Sequence, residues 1–157
     1  MIPALPADHA FAGLKPPAVW SHFATLCRIP RPSKHEGALR DHLLQWASAQ
    51  GLPAHVDAAG NLLIRKAASA GHGASPGVVL QAHLDMVCLT NDPIVPVRTD
   101  DGWVRAEHTT LGADNGLGVA LMLALLADPD AVHGPLEALF TVDEEAGAVA
   151  ELVADGD

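Results

Sequence analysis

Three short polar groups, each placed at the end of an apolar run, carry the chemistry open to this chain: His83-Leu84-Asp85, Asp114-Asn115-Gly116 and Glu144-Glu145. Residues two apart on an extended backbone leave the same face. His83 can therefore offer its imidazole to a metal ion while Asp85 orients the ring from behind. Read alone, the pair is equally a strand-end histidine beside a turn aspartate. Asp114 sits in a glycine-bearing turn ahead of an apolar helix, where a carboxylate can cap the helix or bridge two metal ions. Glu144 and Glu145 repel each other, so a buried strand end would hold them at a cost in stability unless a cation offsets the charge. One could then bind metal and the other act as general base, although a solvated acidic loop fits the same pair. Taken jointly, one imidazole and several carboxylates at strand ends form the donor set of a dinuclear zinc site.

These groups need a frame that brings strand ends together. Pro16-Pro17 can open a helix, because proline is tolerated in the first turn. Val19, Trp20, Phe23, Leu26 and Cys27 then recur at helical spacing, and Ile29-Pro30-Arg31-Pro32 ends that helix. Ser33 and Glu36 have the spacing of a capping box for a second helix, whose buried stripe is Leu39, Leu43, Trp46 and Ala47. A hairpin is predicted over 54–66 with its turn at 58–61, and 67–77 reads as an exposed loop. Val78 to Ala82 has the pattern of a central buried strand, and 94–98 with 103–106 that of a second hairpin. Leu117 to Leu126 is apolar nearly all round, which predicts a helix buried between layers. Leu136 to Val142 is a further strand. Helices interleaved with buried strands predict an α/β fold, a layered mixed β-sheet flanked by helices. Sheets of this kind assemble sites at the carboxyl ends of their strands, where His83 and Glu144 fall.

Composition narrows the partners. The 157 residues suit one domain with a real core, 49% of them hydrophobic and 4% aromatic. A formal net charge of −10 disfavours nucleic acid and anionic membranes as partners. Cys27 and Cys88 lack metal-type spacing and read as free thiols in a reducing cytosol. Residues 1–15 have no signal-peptide pattern and read as a loose arm. The longest apolar run, 119–127, is too short to span a bilayer. A cytoplasmic location is expected. His22, His35, His42, His55 and His72 share no ligand spacing and read as surface residues, while His133 is expected to pack beside Gly134-Pro135.

The segments Cys27 to Glu36, Gln81 to Val87, Thr109 to Gly116, Val132 to Glu137 and Glu144 to Gly147 together resemble the cytosolic aminoacyl-histidine dipeptidases, also called Xaa-His or cytosol nonspecific dipeptidases. These are co-catalytic zinc metallopeptidases, and the resemblance runs from about Pro17 to Gly147. It implies a zinc-peptidase-like catalytic domain and hydrolysis of dipeptides by a zinc-activated water. His83 would bind one zinc with Asp85 orienting it, and Asp114 would bridge both metals across a cis peptide to Asn115. Glu144 would be the general base and Glu145 a ligand of the second zinc. Manganese or cobalt are alternative ions.

The family also has further ligands and a lid or dimerisation domain for which these residues hold no counterpart. The loop over Cys88 to Asn91 is shorter than in the family. On that comparison, residues 16–157 are the N-terminal part of a catalytic domain, with each metal about one protein ligand short of the usual three. An unpaired sheet edge is expected, and weak metal binding. Two alternatives follow: a related amino-acid N-deacylase, or a non-catalytic metal-binding or oligomer-forming remnant that uses the open edge, so homo-oligomerisation stays among the expected partnerships.

Overall fold

The structure is a computed structural model that describes residues 10–146. Helix α1 spans Pro17–Cys27 and α2 Gly37–Ala49; strands β1 (Ala54–Val56) and β2 (Leu62–Lys66) form the first hairpin. β3 (Val78–His83) is followed by β4 (Pro96–Arg98), β5 (Val104–Ala106), α3 (Ala113–Ala127) and β6 (Leu136–Thr141). One sheet has the order β1-β2-β6-β3, and β4 pairs with β5 in a separate two-stranded sheet. β1–β2 and β2–β6 are antiparallel, whereas β3 and β6 run parallel with His83 opposite Thr141. The α/β fold with a mixed sheet is therefore borne out. α3 lies on β3 and carries α1 on its other side, while α2 meets β1.

The alternating apolar residues make this packing. Leu62 and Ile64 of β2, Ala138 and Phe140 of β6, and Leu39, Leu43 and Ala47 of α2 are fully buried in one core. Phe23, Leu26 and Cys27 of α1 join it together with Val119 and Ala120 of α3. Both cysteines are free. Burial pushes the Cys27 thiol up to about 12, against the opposing pull of Arg31 and Arg28. Among the described residues, no helix is long and apolar enough to cross a membrane.

Several expectations need correction. Residues 1–9 of the predicted loose arm lie outside the described residues. Ala10 and Phe11 are buried, with the Phe11 ring stacked on Trp20 at 5.5 Å, because an aromatic residue next to an exposed apolar helix face gains by covering it. β3 is not central. It pairs only with β6 among the described residues, and Val79 is 60% exposed. Leu121 of α3 is likewise exposed, so that helix is buried on most but not all sides. The capping box does not form: α2 has Glu36 at its N-cap with no side-chain cap bond. His22 and His42 are half-buried rather than on the surface. The His22 ring stands edge-on to Trp46 at 5.7 Å, and burial first, then His42, lowers its pKa. His133 does sit against Gly134, its Nδ1 lying 2.7 Å from the Gly134 carbonyl.

Candidate metal centre

Parallel pairing makes β3 and β6 end at the same edge of the sheet, so the segments after them emerge side by side. The Leu84 amide still donates to Thr141 O at 2.7 Å, one step beyond β3. Val142 N then donates to the Asn61 side chain, and Asp143 turns the chain with φ +62°. Aspartate is among the few residues that accept this left-handed conformation readily. After that turn the Glu144 and Glu145 amides both face Asp85, donating to its two carboxylate oxygens at 3.1 and 2.9 Å.

Asp85 is fully buried, and it also accepts from Ser33 Oγ at 2.7 Å. Burial alone would raise its pKa, but the hydrogen bonds from Ser33, Glu145 and Glu144 outweigh that and hold it below the ordinary carboxylate value. His83 Nδ1 lies 3.1 Å from Asp85 O and 3.4 Å from Asp85 Oδ1. Both are acceptors when the carboxylate is ionised, so Nδ1 is the nitrogen that donates here and Nε2 is left to face the other acids.

There Nε2 meets carboxylates. Nε2 is 3.1 Å from Asp114 Oδ1 and 4.0 Å from Glu144 Oε2. His83, Glu144 and Glu145 can each offer a donor atom such that all of these atoms lie within 4.8 Å of one another. A nitrogen lone pair facing carboxylates is unfavourable until a proton or a cation is placed between them. Two ligands of one tetrahedral zinc ion at bonds of about 2.0–2.2 Å stand about 3.3–3.6 Å apart, so the donors would close by up to about 1.5 Å around the ion. Imidazole nitrogen with carboxylate oxygen suits zinc, and also manganese or cobalt. The donors present thus fit a metal.

Asp114 reaches this place through an unusual backbone. The Asp114–Asn115 peptide is cis, Gly112 before it is left-handed at φ +67°, and Asp114 and Asn115 are not helical although they lie within α3. No side chain caps α3, so Asp114 is not its N-cap; its carboxylate faces His83 instead. Of the two readings the sequence leaves open for the acidic groups, a buried strand end and a solvated loop, the exposed one holds for these side chains. The Asp114 and Glu144 side chains are 85% and 58% exposed, against 8% for His83. Water solvates them because nothing in the described chain covers this rim.

All five residues singled out from the sequence meet here: His83, Asp85, Asp114, Glu144 and Glu145. Three others were missed. Ser33 and Glu36 were assigned to helix capping. Instead, Ser33 binds Asp85, and Glu36 Oε1 accepts from Lys34 N at 3.1 Å and Asp143 N at 2.9 Å. Arg31, read only as part of a helix end, is fully buried beneath the site. The signal available for them was their place in Cys27 to Glu36, one of the segments that carried the family resemblance.

The fold is one that solved peptidases share. A tripeptidase from Staphylococcus aureus subsp. aureus mu50 superposes with a TM-score of 0.74 at 26% identity, over 83% of this chain and 37% of that one. Closer in sequence is the aminoacylhistidine dipeptidase from Vibrio alginolyticus, with a TM-score of 0.83 and 46% identity over 87% of this chain and 30% of that one. The cytosol non-specific dipeptidase of Escherichia coli (strain K12) is 50% identical over 143 residues, 85% of this chain and 29% of the relative. No protein-family model matches the chain. The resemblance to aminoacyl-histidine dipeptidases is borne out in sequence and in structure, and the chain spans less than a third of the length of these two relatives.

Proposed function

We propose that this chain carries the metal-binding part of a metallodipeptidase that hydrolyses dipeptides of the Xaa-His type. The observation that carries the reading is the meeting of His83 Nε2 with the carboxylates of Asp114, Glu144 and Glu145 at the shared end of β3 and β6. His83, Asp114 and Glu145 would hold the metal. A bound zinc ion supplies a lowered pKa for water and a polarised peptide carbonyl. Asp85 fixes the imidazole tautomer through Nδ1 and, through the amides of residues 144 and 145, sets where the two glutamates stand. Glu144, solvated and next to His83, takes the proton of the attacking water and passes it to the leaving amine. Residues 16–157 would then belong to one catalytic domain. The name of the Escherichia coli relative supports a cytosolic setting.

The exposure of Asp114 and Glu144 favours one other reading, a metal-binding module without turnover, since open carboxylates bind a cation in competition with water. Incubating the chain with zinc or manganese and β-alanyl-histidine separates the two. Turnover that a chelator abolishes, and that Glu144→Ala lowers by about 10²–10⁴-fold, supports the enzyme. Metal uptake in calorimetry without turnover leaves the module. Absence of uptake at micromolar zinc ends both.

A further inference from the structure

Arg31 is a cation with no exposed surface, placed under a site made mostly of acids. Removing a guanidinium from water is costly, and its Nε has no hydrogen-bond partner, so the residue is not explained as a gain in stability. Its two terminal nitrogens go to two different loops. Nη1 donates to Leu84 O at 2.9 Å and to Asp85 O at 3.3 Å, and Nη2 donates to Gly112 O at 2.7 Å. Asp85 O is the same oxygen that lies 3.1 Å from His83 Nδ1. Gly112 O also accepts from Gly116 N at 3.1 Å, across the turn that holds Asp114. The Arg31 carbonyl in turn accepts from Met86 N at 3.1 Å, where Pro32 and Met86 form a parallel bridge.

We propose that Arg31 is a positioning residue: its planar guanidinium spans the loop after β3 and the turn before α3 and so sets the spacing between His83 and Asp114. This rests on the metal-binding reading above. The fork is rigid, so the two carbonyl sets cannot drift apart without breaking a bond to a buried charge. Neighbouring residues make room for it. A Cβ on Gly112 or on Gly116 would lie 2.6 Å from Arg31 Nη2, and the one on Gly116 also 2.9 Å from Phe23 Cε2. Glycine at both places is therefore a condition for the guanidinium to lie where it does. Other polar contacts between these two segments, His83 Nε2 facing Asp114 and Thr110 Oγ1 donating to Val87 O, involve exposed groups.

The test uses the full chain and its Arg31→Met, Arg31→Lys and Gly116→Ala variants. Zinc affinity is measured by calorimetry, the coordination geometry by the visible absorption of the cobalt-loaded protein, and folding by circular dichroism. Arg31→Met is expected to bind zinc about 10–100-fold more weakly, with an altered cobalt spectrum. Arg31→Lys keeps the charge but cannot span both loops, and is expected to behave like Arg31→Met. Gly116→Ala displaces the guanidinium without removing it and should perturb the cobalt spectrum in a folded protein, which decides the matter where Arg31→Met does not fold. Unchanged zinc affinity and spectrum in folded variants, or full rescue by lysine, overturns the positioning role while leaving the metal reading intact. A parent chain that takes up no metal overturns the metal reading, and this role with it.

Discussion

The two ends of the parallel strand pair, β3 and β6, treat charge in opposite ways. At the carboxyl end of β3 and β6, Asp85 and Arg31 are fully buried, and protein groups supply the hydrogen bonds of Asp85 and those of the terminal nitrogens of Arg31. At the other end an apolar groove runs along Leu52, Pro53, Pro135 and Leu136. The charged pair beside it, Arg65 Nε to Glu137 Oε1 at 2.7 Å, stands largely in water. Its distance is as short as those around Asp85, yet the consequences differ. A solvated pair loses little when one partner goes, because water replaces it, whereas a buried carboxylate or guanidinium has no replacement. Distance alone says little about what a polar contact does; burial decides it.

The sharpest way to break this contrast is Asp85→Asn. The amide cannot accept on both sides from Ser33 and the two glutamate amides, so a loss of about 2–3 kcal/mol is expected in urea unfolding. Zinc affinity should fall about 10–100-fold, because the carboxylate that faces His83 Nδ1 and holds the amides of residues 144 and 145 is lost, while the Asp85 carbonyl still accepts from Nδ1. The pH dependence follows in sign. The folded pKa of Asp85 is depressed, so its contribution to stability is complete above the unfolded value of about 3.9 and disappears as pH falls through the lower folded value. Acid unfolding curves should lose that portion in Asp85→Asn; identical acid curves would contradict the account. Ser33→Ala is expected to give a smaller effect, about 1 kcal/mol, with a weaker acid-side response of the same sign. At the other end of the sheet, Arg65→Ala should change stability by no more than about 0.5 kcal/mol and leave metal uptake unaltered. A larger loss there than from Ser33→Ala would reverse the comparison.

Helices, hairpins and the α/β class were legible because periodicity reports which side of an element faces the core. It does not report what lies beside an element. Val78-Val79-Leu80 reads as a run buried on both faces, yet Val79 is 60% exposed, and among the described residues β3 has a strand on one side only. Ser33 and Glu36 have the spacing for a local cap, and both side chains go instead to partners far along the chain, Asp85 and Asp143. His22 and His42 carry no sign in the sequence of the contact between α1 and α2 that half-buries them.

The sequence by itself determined the donor types, their order, and their placement at the ends of apolar segments: an imidazole and an aspartate after one strand, two glutamates after another, and an aspartate before a helix. Those follow from composition and local pattern. That they converge, that Asp85 is held below its ordinary pKa, and that Arg31 is buried beneath them were decided only in three dimensions. The reasons are the parallel register of β3 and β6, with His83 opposite Thr141 far along the chain, and the packing of α3 on β3, which brings Asp114 to His83. No local spacing encodes such a contact, because its stability depends on water being excluded by the whole packed core.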